Sequence, residues 1–126
     1  METAFTRDQY ASAQGDKYDC SVRSMSVAAG ITYDEASALF REEGRLPGHG
    51  TPIVCTERVL RRLGRSGVRL YPPRLSVPLA QMLLFGYFAK GSFVAHTAHH
   101  AFAIVDGVVH NWNASGRIRI VRYYQL

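Results

Sequence analysis

The amino-acid sequence predicts an α+β fold in which N-terminal helices pack on an antiparallel β-sheet. Three observations carry that prediction. The first half places apolar residues at helical spacing between capping and glycine signals. The second half alternates apolar and polar residues in short runs broken by Gly, Pro and Asp-Gly. Helices come first and strands follow within 126 residues, which suits one domain, residues 1–126, with its helices gathered on one side of the sheet.

Residues 1–18 are polar without a sustained period and read as an N-terminal arm or loop. In DCSVRSMSVAAG, Val22, Met25, Ala28 and Ala29 recur at helical spacing and Gly30 is the stop, so Cys20 opens a helix. In TYDEASALFREEG, Thr32 and Glu35 form a capping-box pattern, Ala36, Leu39 and Phe40 make the apolar stripe, and Gly44 ends it. After the loop RLPGHG, the stretch TPIVCTERVLRRLG predicts a third helix with Thr51 as N-cap and Pro52 in the first helical position. Its inward face should carry Val54, Cys55, Val59, Leu60 and Leu63. Cys55 is thereby a core residue, since an unpaired Cys behaves as a small hydrophobe.

GVRLYPP reads as a short strand stopped by two prolines. SVPLAQMLLFGYF predicts a short helix from about Val77 to Phe85, SFVAHT a strand, and GRIRIVRYY a last strand by alternation. Between them lies HHAFAIVDGVVHNW, where Asp106-Gly107 separates two apolar runs and signals a two-residue type I′ hairpin turn. That register pairs Val105 with Val108. It sets His100 opposite Asn113 and diagonal to Asn111 on one face, with His99 and Trp112 on the other.

The net charge of +5 is unevenly spread. Residues 1–57 carry −4 and residues 58–126 carry +9, an asymmetry that marks either an anionic partner or complementary surfaces within the domain. Arg58, Arg61, Arg62 and Arg65 fall on a common helical face. This raises a nucleic-acid-binding alternative, for which the chain shows no interleaved aromatics or known motif; a solvated helix face is the default. No apolar run approaches the ~20 residues of a membrane span, and METAFTRDQY lacks the basic and apolar regions of a signal peptide. A cytoplasmic protein is expected. There Cys20 and Cys55 stay reduced, and neither they nor His49, His96, His99, His100 and His110 show the spacing of a metal site.

Cys20 has the chemistry of a nucleophile. The thiolate is the attacking species, and the first turn of a helix offers it a partial positive charge and unbonded N–H groups. An imidazole across a cleft would take the thiol proton and later hand it to the leaving group, a role His100 fits. Asn111, with Asn113 as alternative, would orient the ring. Gln14, six residues before Cys20 in QGDKYDC, could join the Cys20 N–H as oxyanion donor, with Gln9 as fallback.

In this order of residues the chain resembles the papain-like cysteine peptidases. QGDKYDC has that family's Gln-to-Cys spacing, HHAFAIVDG is similar to its His-Ala-hydrophobic strand, and HNW is similar to the later strand on which Asn precedes Trp. His100 is selected over His99 because Ala101 follows it, and Asn111 is favoured over Asn113. The compact length and the Asp-Cys junction look more like the bacteriocin-processing and small phage or bacterial branch. The resemblance implies a papain-like fold and a hydrolase with catalytic Cys20, His100, Asn111 and Gln14. It implies substrate contacts from Asp19, His99, Trp112 and Asn113, a peptide or protein substrate, and no metal or organic cofactor. DCSVRS departs from the family's Gly-Ser-Cys-Trp signature, and the same scaffold also supports amidases, acyltransferases, deamidases and inactive binding modules.

Overall fold

The computed structural model describes residues 18–110 and 115–126. Helix α1 spans Cys20–Ala29, α2 Tyr33–Glu42 and α3 Ile53–Arg62. Strand β1, Val77–Pro78, leads directly into α4, Leu79–Leu84. Strands β2 (Ser92–His96), β3 (Ala101–Val105), β4 (Val108–His110), β5 (Arg119–Ile120) and β6 (Arg122–Gln125) complete the mixed α and β architecture.

The first two helices form where their end signals place them. Gly30 adopts φ +68°, and the N–H groups of Gly30 and Ile31 bond the carbonyls of Val27 and Ser26 to close α1. Thr32 accepts the Glu35 N–H at 3.1 Å to open α2. The third helix starts one residue later than expected. Pro52 takes the cap position, while the Thr51 hydroxyl is turned away to accept from the Arg45 guanidinium at 3.1 Å. Cys55 is buried among α1 and α2 side chains, but Val54 lies off the apolar stripe and is exposed.

Four strands form an antiparallel sheet in the order β4-β3-β2-β6, and β1 pairs with β5 in a separate ribbon. The β3–β4 register is the one that the Asp-Gly turn dictates, with Val105 facing Val108 and Ala103 facing His110. Asp106 and Gly107 take φ +48° and +80°, the two positive values that a type I′ turn requires.

Strand alternation divides the core in two. Val94, Ala101, Ala103 and Tyr124 face α1 and, beyond it, α2 and α3, packing with Val22, Met25 and Phe40. Phe93, Ala95, Phe102, Ile104 and Val109 face the other way, onto Leu79, Met82 and Phe88. The helices are therefore not all on one side: α4 and the β1–β5 ribbon cover the second face. Edge-to-face contacts of Phe88 with Phe93 and Tyr123, at centroid distances of 5.0 and 5.3 Å, add about 0.5–1.5 kcal/mol per pair to that layer.

Three further expectations are corrected. GVRLYPP forms no strand; only Leu70 bridges to Tyr123. Val77 and Pro78 pair with Ile120 and Arg119 rather than opening the helix. The expected last strand breaks at Val121, whose N–H bonds the His96 carbonyl, so β5 and β6 belong to different sheets.

Candidate active site

The site begins at the first turn of α1. Asp19 occupies the cap position, but its carboxylate makes no capping bond. It is fully buried and accepts instead from Arg23, one turn ahead, and from the Tyr33 hydroxyl at 2.7 Å. The first intrahelical bond runs from the Arg23 N–H to the Asp19 carbonyl. The N–H groups of Cys20, Ser21 and Val22 precede it and point where an anion would be stabilised. Asp19, for which the sequence resemblance implied a substrate contact, is buried with Arg23 and Tyr33 against its carboxylate and is not among the residues lining the cleft.

The second part is the β2–β3 turn. The Thr97 N–H bonds the His100 carbonyl at 2.9 Å, and the Thr97 hydroxyl accepts the His99 N–H at 3.3 Å. This closed turn presents His100 just before β3. Its ring stacks on Phe102, with centroids 6.2 Å apart, and hydrogen-bonds the Cys20 sulfur. His99, beside it, is exposed on the cleft rim.

Burial alone would push the Cys20 thiol up. The opposing contributions are larger in sum: the His100 hydrogen bond, the Ala101 N–H, the charge of the protonated His100 ring, and the Ser21 N–H. Together they hold the thiol below its ordinary value. The sulfur therefore sits among donors from a helix start and from a hairpin, and it favours the thiolate.

Around this pair lies a cleft of about 290 Å³. One wall is Tyr18, Cys20 and Ser21, a second is Gly50, Thr51 and Ile53, and the third runs from His96 to Ala101, with Arg122 beside it. Arg45, buried behind the first two walls, joins them. Its guanidinium donates to the Tyr18 carbonyl at 3.1 Å, the His49 carbonyl at 3.0 Å and the Thr51 hydroxyl. The PGHG loop thus borders the cleft through Gly50, while His49 is exposed and does not line it.

The structure brings together Cys20, His100 and the rim residue His99. Gln14 with its fallback Gln9, and Asn111, Trp112 and Asn113, lie outside the described residues. Two cleft residues escaped the sequence reading. His96 ends β2 and Arg122 begins β6, and they are direct cross-strand partners. His96 is 7% exposed, its ring packs edge-on against Tyr124, and its Nε2 has no hydrogen-bond partner among the described residues. Burial first, then the charges of Arg122 and His100, push its pKa down to about 4.

The arginine stripe is only partly a stripe. Arg62 is paired with Glu42 and Glu43, and Arg65 lies beyond the end of α3. Among the described residues no group of three or more His, Cys, Asp or Glu could hold a metal ion, and no helix is long and apolar enough to cross a membrane. Compared with family models, curated proteins and solved structures, the chain matches none.

Proposed function

We propose that the chain is a papain-like cysteine hydrolase, a peptidase or amidase, that attacks an amide or thioester bond of a peptide or protein substrate. The observation that carries this reading is the hydrogen bond between His100 and the Cys20 sulfur at the opening of α1. The thiolate adds to the acyl carbonyl, and the developing oxyanion lies near the first-turn N–H groups of α1. The His100 imidazolium gives its proton to the leaving nitrogen or sulfur, the C–N or C–S bond breaks, and a thioester to Cys20 remains. His100 then takes a proton from water, whose oxygen attacks the thioester and releases the acid and the thiol. Gln14 as oxyanion donor and Asn111 as the residue orienting His100 complete the proposed set. A reducing cytoplasm suits a nucleophile that must remain a free thiol.

Incubation with a small peptide thioester and acid quenching tests the reading. It predicts thiol release with an acyl adduct on Cys20, both lost in Cys20→Ala. Thiol release at an unchanged rate in Cys20→Ala removes the assignment.

A further inference from the structure

We propose that His96 and Arg122 form a carboxylate-binding subsite beside Cys20, so that the substrate carries a carboxylate close to its scissile bond. This rests on the hydrolase reading for its catalytic meaning, but the binding event itself is independent of it.

Four observations converge. His96 and Arg122 face each other across β2 and β6, which puts both side chains on the sheet face that packs against α1. Both line the cleft that holds Cys20 and His100. His96 Nε2 and Arg122 Nε are each buried, and each lacks a hydrogen-bond partner among the described residues. Finally, among the described residues no Asp or Glu lines the cleft: Asp19 accepts from Arg23 and Tyr33, and Glu57 from Arg69 and the Tyr124 hydroxyl.

Arg122 is half-buried, and a guanidinium Nε buried without an acceptor is costly to the protein unless a ligand supplies one; the planar donor edge of arginine matches a carboxylate. The imidazole of His96 adds a second donor when its proton is on Nε2, the tautomer that an anion selects. The cleft is thus cationic and donor-rich, in agreement with the excess of +9 over residues 58–126. A carboxylate can reach it from two places, an acidic side chain on the acyl part of the substrate or a terminal carboxylate on the leaving part.

Iodoacetate and iodoacetamide make the test, because they deliver the same carbon to sulfur with and without a carboxylate. The ratio of their alkylation rates at Cys20, normalised to glutathione, should favour iodoacetate by about tenfold or more. That preference should collapse in Arg122→Gln and persist in Arg122→Lys. His100 contributes charge equally in all three proteins, so the fall in ratio isolates Arg122. On the unsubstituted protein, millimolar acetate should slow alkylation by iodoacetamide whereas acetamide should not, which keeps the proposal testable if a variant misfolds. Equal normalised rates in the wild type, or a ratio unmoved by Arg122→Gln, overturn the subsite and leave the hydrolase reading standing. Alkylation by both reagents no faster than glutathione overturns the nucleophile, while the ratio still reports the subsite. Two thioester peptides then separate the sources: one with Glu on the acyl side and an amidated leaving group, one with the carboxylate only on the leaving group. Whichever is consumed faster by the wild type should lose that advantage in Arg122→Gln; no difference between the variants on either peptide counts against a substrate role.

Discussion

His100 hydrogen-bonds the sulfur of Cys20, joining the helix half of the chain to the hairpin half at one point. On the helix side the sulfur meets the Ser21 N–H, and on the hairpin side the Ala101 N–H. Both sides are held by local hydrogen bonds: those of Asp19 at the start of α1, and those of the Thr97 turn before β3.

The two cysteines should react very differently. Cys20 lines the cleft, whereas Cys55 is 3% exposed and donates its thiol to the Glu43 carbonyl. Brief treatment of the folded protein with iodoacetamide at neutral pH should modify Cys20 alone, as read by peptide mass spectrometry. Comparable modification of Cys55 would contradict the packing described.

Stability should fall in acid through His96. Its folded value of about 4 lies below the ordinary 6.5, so the unfolded chain binds the proton more readily. Stability is therefore full above pH 6.5 and is lost as pH drops from 6.5 towards 4, by on the order of 3 kcal/mol. His110, also held down by burial, adds in the same direction. Urea melts across that range should show a shallower acid slope in His96→Gln; an unchanged slope would exclude His96 as its source.

Asp19→Ala should cost about 1.5–3 kcal/mol, because it removes a fully buried carboxylate that accepts from Arg23 and from the Tyr33 hydroxyl. Tyr33→Phe, which removes one bond to a charged acceptor, should cost about 1.5–3 kcal/mol. Chemical denaturation measures both, and a near-neutral Asp19→Ala would show that the carboxylate is not structural.

Arg45→Met should loosen the cleft wall as well as destabilise the fold by roughly 1.5–3 kcal/mol, since it removes the guanidinium that donates to two carbonyls and a hydroxyl. Proteolysis within residues 46–51 should accelerate. Resistance equal to that of the wild type would dismiss Arg45 as the organiser of that wall.

What could be read from the chain follows from how local each determinant is. The Cys20 helix start, the Thr32 cap and the Asp106-Gly107 turn are each set by residues within a few positions, and the β3–β4 register then follows from the turn alone. The burial of Cys55 comes from helical period. By contrast, His96 opposite Arg122 depends on β2 pairing with a strand that no short turn connects to it, and on the break at Val121 that changes the phase of the last strand. Val77 and Pro78 are held extended by distant Ile120 and Arg119, which outweighs their local helical context. Thr51 was drawn from the cap by Arg45, a tertiary contact.

Titrating the thiolate absorbance of Cys20, with Cys20→Ser as the blank, measures the central pairing directly. The midpoint should lie below the ~8.5 of an ordinary thiol. In His100→Ala it should rise, because burial continues to oppose the charge after the imidazole has gone. A wild-type midpoint at or above the ordinary value, unmoved by His100→Ala, would contradict the pair.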